Sequence, residues 1–119
     1  MIKNYEKKEP DFRNEKEFRN YFQYGAKLLE VFDELAKGKK IEFSHMFNTL
    51  EIEEKDRKIQ LYPSGNFVIN YKFYIDAEDR TIKICDDIKN LGKNEKEFEK
   101  FISDANKALE IYKKIFGGE

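Results

Sequence analysis

The sequence predicts a small α+β domain, with a long helix at each end and a four-stranded antiparallel meander sheet between them, in the order α-β-β-β-β-α. Apolar residues recur at helical spacing near both ends of the chain, and in the middle the spacing switches to two. The segments joining the middle runs are short turns. Parallel neighbours need a long crossover, so these strands must be antiparallel, with both helices on the apolar face of the sheet. The 119 residues are read as a single domain: an extended lead over 1–12, a helix over 14–37, the sheet over 41–86 and a helix over 94–116.

The lead is polar and mixed in charge, closes with Glu9-Pro10-Asp11, and is expected to dock through Tyr5 or Phe12. Asn14 followed by Glu17 has the spacing of a capping box, with Phe12 outside and Phe18 inside as a hydrophobic staple. The stripe Phe18, Tyr21, Phe22, Gly25, Leu28, Leu29, Phe32, Leu35, Ala36 then gives one buried helix face. Gly38 supplies a left-handed stop, and Lys39 and Lys40 suit the negative end of the helix dipole.

The second helix repeats this grammar. Asn94-Glu95-Lys96-Glu97-Phe98 copies Asn14-Glu15-Lys16-Glu17-Phe18, and the stripe runs Phe98, Phe101, Ile102, Ala105, Ala108, Leu109, Tyr112, Ile115, Phe116, ending at Gly117-Gly118. An internal duplication is one reading, but the segments between do not repeat, so the reading preferred is two helices solving one capping and packing problem. Tyr24 and Val31 widen the first stripe, and Ile111 mirrors Val31, which predicts helix-to-helix contact.

In the middle, Ile41, Phe43, His45 and Phe47 alternate with polar residues, and the phase then shifts to Leu50 and Ile52, which signals a bulge or a loop at Phe47-Asn48-Thr49. Turns are expected at Glu54–Arg57, at Tyr62-Pro63-Ser64-Gly65-Asn66 and at Asp76–Arg80. Phe67, Ile69, Tyr71, Phe73 and Ile75 alternate with Val68, Asn70, Lys72 and Tyr74 and read as one long strand. Ile82 and Ile84 alternate with Lys83 and Cys85, and Ile88 and Leu91 are expected to pin the loop into the second helix.

Composition narrows the functional classes. Hydrophobic residues at 39% and aromatics at 15% are too abundant for a disordered chain. Lys plus Arg at 23 against Asp plus Glu at 24 gives a net charge of -1, which disfavours a dedicated binder of DNA or duplex RNA. The single thiol, Cys85, fits a reducing compartment, and no run reaches membrane-spanning length. Met1-Ile2-Lys3-Asn4-Tyr5 leads into charge, so the cytoplasm and the absence of a membrane partner are expected. Heavy use of Lys, Asn, Ile, Phe and Tyr suggests an AT-rich genome, bacterial or phage.

No chemical motif stands out. His45 is the lone histidine, in phase with apolar neighbours, and is expected at the core edge with one hydrogen-bonded nitrogen. One His and one Cys do not make a zinc site. Asp76-Ala77-Glu78-Asp79 and Asp86-Asp87 group carboxylates, but counted from Asp76 a calcium loop would have Thr81 in place of its glycine and Asp87 in place of its glutamate. Acid-x-Lys triplets such as Glu53-Glu54-Lys55 and Asp87-Ile88-Lys89 recur by chance in so charged a chain. The glycines are scattered through helix, helix ends and turns, so neither a phosphate loop nor a dinucleotide fingerprint can be assembled. Catalytic residues, metal ligands and cofactors are therefore expected to be none.

What remains is the sheet face away from the helices: Gln60, Tyr62, Val68, Asn70, Lys72 and Tyr74. Aromatic enrichment there suits a protein-binding patch. The expected function is a small non-enzymatic binding or regulatory protein that docks onto another protein, in the manner of an accessory or inhibitor protein of a phage or mobile element. Two alternatives stand: single-stranded nucleic-acid binding by this face, aided by Lys72 and the cluster from Lys37 to Lys40, and a metal-dependent hydrolase using Asp76, Asp79 and Asp86. A homodimer through the sheet face or an open edge strand is a further expectation.

Overall fold

The computed structural model describes residues 11–22, 25–85 and 95–117. The elements are α1 (Glu15–Tyr21), α2 (Ala26–Leu35), β1 (Glu42–Ser44), β2 (Thr49–Glu54), β3 (Arg57–Leu61), β4 (Asn66–Ile69), β5 (Phe73–Asp76), β6 (Thr81–Ile84) and α3 (Glu95–Phe116). The six strands form one antiparallel meander in the order β1-β2-β3-β4-β5-β6, and α3 packs on the sheet. The α+β class and the antiparallel meander are as the sequence predicts. The strand number and the long first helix are not.

The first helix is two. Asn14 caps α1 as expected, its Oδ1 accepting from the Glu17 N–H at 2.8 Å, while Glu17 reaches back to the Arg13 N–H at 2.8 Å. Phe12 is buried against Phe18, with ring centroids 5.3 Å apart and edge-on. After Tyr21 the backbone turns extended at Phe22 (ψ 127°), and Gly25 takes φ +94°, a conformation cheap only for glycine. A straight helix over 14–37 would run roughly 36 Å, whereas six strands about 4.8 Å apart span only about 24 Å. The break keeps both halves over the sheet. Arg19 then clamps them, its two terminal nitrogens donating to Asp33 at 2.9 and 2.7 Å.

The predicted stop of α2 is present. Gly38 has φ +77°, and the Lys39 ammonium donates to the Leu35 carbonyl at 3.3 Å. Val31 and Ile111 are both buried, and α2 lies against α3 with Lys114 3.3 Å from Glu34, so the helix-to-helix contact is also present.

Two of the four expected strands divide. Ser44 pairs with Thr49, which makes His45 to Asn48 a turn and splits the first strand into β1 and β2. The long strand over 67–75 splits into β4 and β5 at Asn70 and Tyr71, whose φ values of 52° and 61° are both left-handed. The Lys72 N–H donates back to the Ile69 carbonyl at 3.0 Å, closing that turn. The turns expected at Glu54–Arg57, 62–66 and Asp76–Arg80 all connect paired strands.

The core lies between the helices and one face of the sheet. Leu50, Ile52, Ile59, Leu61, Phe67, Ile69, Phe73 and Ile75 meet Phe18, Phe32, Phe101 and Ile111. On α3 the buried arc is Phe101, Asp104, Ala108 and Ile111, rotated from the predicted stripe, so Phe98, Ile102 and Leu109 are left exposed. The rotation carries a carboxylate inward, to partners described below. Tyr5, Tyr24, Ile88, Leu91 and Asn94 lie outside the described residues.

Candidate binding face of the sheet

Cross-strand register builds the face opposite the helices. Glu42 pairs with Glu51, Glu51 with Gln60, Gln60 with Val68, Val68 with Tyr74, and Tyr74 with Lys83. Because side chains alternate along each strand, these six form one row that crosses every strand on the face away from the core residues. The row is acidic at its β1 end and aromatic and cationic at its β6 end. Lys83 Nζ lies 5.7 Å from the centre of the Tyr74 ring, within cation–π reach.

The middle of the row is not open to solvent. Thr49, Glu51 and Gln60 are all buried. Glu51 Oε2 accepts from the Gln60 amide at 2.9 Å and from the Thr49 hydroxyl at 3.0 Å, while Glu51 Oε1 faces Lys58 Nζ at 3.4 Å. Burial lowers the Lys58 pKa, but Glu51, Tyr71 and Glu53 together outweigh it and the net shift is upward. Gln60 Oε1 is buried and meets no donor among the described residues. An acceptor left so costs on the order of 1–3 kcal/mol, which the surrounding packing must offset. A cavity of ≈ 230 Å³ lies beside this cluster, lined by Lys40, Glu42, Glu51, Ile52, Glu53 and Lys58.

The six residues singled out in the sequence do not make one patch. Val68 and Tyr74 are half-buried neighbours in the row, and Gln60 beside Val68 is fully covered rather than facing solvent. Tyr62 follows β3 and starts the 62–66 turn, where its N–H donates to the Asn66 carbonyl at 2.9 Å. Asn70 and Lys72 point elsewhere, because the turn at Asn70-Tyr71 takes them off the row. Asn70 Nδ2 donates to Asp104 at 3.0 Å, and Lys72 Nζ stands 3.4 Å from the same oxygen.

Asp104 is the residue that the sequence reading passed over. It has no exposed surface, and Arg57 Nε donates to its other oxygen at 3.0 Å. Arg57 also holds Glu54 at 2.7 Å and Ser103 Oγ at 2.8 Å, and Lys107 adds a second cation 3.2 Å from Glu54. Burial alone would raise the Glu54 pKa, but Arg57 and Lys107 hold it below the usual range. This network ties two hairpins to the middle of α3. The signal for it was an acid in register with the apolar positions Phe101, Ala108 and Ile111.

The other candidates fall apart in space. His45 is exposed in the β1–β2 turn, its ring edge-on to Phe43 at 5.0 Å, and not at the core edge. Asp76 Oδ1 accepts from the backbone N–H groups of Glu78 and Asp79 at 3.0 and 3.1 Å, which closes its own turn. Asp79 stands 3.8 Å from Lys83, and Asp86 and Asp87 lie outside the described residues. Among the described residues no group of His, Cys, Asp or Glu is arranged to hold a metal ion, and no helix is long and apolar enough to cross a membrane. Comparison of the chain with protein-family models, with curated proteins and with solved structures yields no match.

Proposed function

We propose that this chain is a non-enzymatic binding protein that docks onto another protein through the sheet face carrying Val68, Tyr74 and Lys83. One observation favours this over single-stranded nucleic acid. Three lysines of that face and its rim stand against carboxylates: Lys40 at 3.6 Å from Glu42, Lys58 at 3.4 Å from Glu51 and Lys83 at 3.8 Å from Asp79. A strand of phosphates gains affinity by releasing counterions from its own backbone, and lysines already neutralised in this way offer little of that gain. A protein partner instead covers the Tyr74 ring and pairs with charges of both signs.

The test is affinity capture from host lysate with tagged chain, in parallel with and without nuclease, washed at about 0.1 M and about 0.5 M salt. Docking requires a protein that survives nuclease and the higher salt, and that is lost with Tyr74→Ala. Nucleic acid recovered only at the lower salt would reverse the assignment.

A further inference from the structure

We propose that the chain also self-associates, pairing α3 with α3 of a second copy in antiparallel orientation. This goes beyond the docking face and stands without it. At 3.6 residues per turn, Phe98, Ile102 and Leu109 fall within about 40° of one another on the helix surface. They lie beside the arc of Phe101, Asp104, Ala108 and Ile111 that faces the core. Their exposures of 45%, 43% and 49% mark an apolar stripe that the described residues leave uncovered.

The charges along the stripe select the occupant. Exposed Glu95 and Glu99 flank its first turns; exposed Lys113 flanks its end beside Glu110, whose charge Lys107 meets at 3.5 Å. A parallel neighbour would set acid beside acid and base beside base. An antiparallel second copy sets Glu99 beside Lys113 of the second copy, and the reverse, with the helix dipoles opposed. Ile102 then lies across from Leu109 of the second copy, and the two-fold axis passes between Ala105 and Asn106. In that register Phe98 sits under the alkyl stem of Lys113 of the second copy. Every contact occurs twice, as an isologous interface demands. The same Glu95 and Glu99 disfavour an anionic lipid surface, which recruits basic helices. Three apolar side chains per copy are fewer than a standard interface uses, so the dimer is weak, with Kd on the order of micromolar.

Sedimentation equilibrium of the full chain from about 5 to about 500 µM tests this. The expected result is a reversible dimer that Ile102→Glu weakens by at least about tenfold, with circular dichroism unchanged because Ile102 is half exposed. Glu99→Lys and Lys113→Glu should each weaken it, and the double variant should restore it, which keeps the test valid if Ile102→Glu misfolds. A chain monomeric at every concentration, or a dimer indifferent to all three variants, would overturn the proposal. A monomer that instead binds phosphatidylserine vesicles through Ile102 would reassign the stripe to lipid.

Discussion

Arg57 Nε stands 3.0 Å from Asp104 Oδ1, and the carboxylate it meets has no exposed surface at all. This contact joins the start of β3 to the middle of α3. Lys72 and Asn70 complete the shell around the acid, so removing it would leave Lys72 and the Nε edge of Arg57 without their acceptor. Loss of one member of a buried ion pair costs about 3–5 kcal/mol. Asp104→Ala should therefore lower the urea-unfolding free energy by that amount, and a loss below about 1 kcal/mol would show that the network contributes little.

Glu54 gives the pH dependence. Burial works to raise its pKa, but Arg57 and Lys107 bring it below the usual glutamate value of 4.5 in the folded state. The unfolded chain therefore takes the proton first. The stabilisation is complete above 4.5 and is lost as pH falls through the lower folded value. Urea midpoints followed from neutral pH to about pH 3 should fall less steeply for Glu54→Gln than for the parent chain in that acid window. Identical slopes would refute the assignment.

Gly25 separates two helices by a sign. Its φ of +94° with ψ 160° is a region essentially closed to L-residues, at a cost of about 1–3 kcal/mol, and a Cβ there meets nothing within 4 Å, so backbone strain dominates the effect of Gly25→Ala. The variant should be destabilised by that amount in thermal or urea unfolding. Were residues 14–37 one continuous helix, the same substitution would stabilise by about 1 kcal/mol.

Tyr71 makes a related case. Its φ of 61° is strained for an aromatic residue, and 55% of its surface is exposed, so little packing is lost on truncation. Tyr71→Gly relieves about 1–2 kcal/mol of backbone strain against about 0.5–1 kcal/mol of added chain entropy. A net gain of about 0.5–1 kcal/mol is expected, read from the urea midpoint, and a loss would contradict the turn.

These turns explain what the sequence could and could not disclose. Ile69 pairs with Phe73, leaving an odd number of residues between them, so the apolar alternation passes through the turn without a change of phase. A hairpin and a straight strand then have the same pattern. At the first hairpin Ser44 pairs with Thr49 across an even number, the phase flips, and the interruption was visible as a bulge or loop. Gly25 lay on a helical stripe that stayed in period on both sides of it, so the break had no periodic signature. The ends of the elements were legible where side-chain chemistry marks them, as at Asn14 and Gly38. The binding face was harder to see. Alternation put Gln60, Val68 and Tyr74 on one side, but burial of Gln60 and the turn of Asn70 and Lys72 toward Asp104 depend on contacts across 34 or 32 residues of chain.

The docking assignment meets its most direct test in site-specific photo-crosslinking at position 74. A benzophenone side chain placed there, and in a parallel sample at exposed Lys37 on the helix side, is irradiated in host lysate and the adducts are treated with nuclease. Docking through the Tyr74 face requires a nuclease-resistant protein adduct at position 74 that is absent at position 37. An adduct that nuclease trims to a short nucleotide remnant, or a protein adduct at position 37 alone, would contradict it.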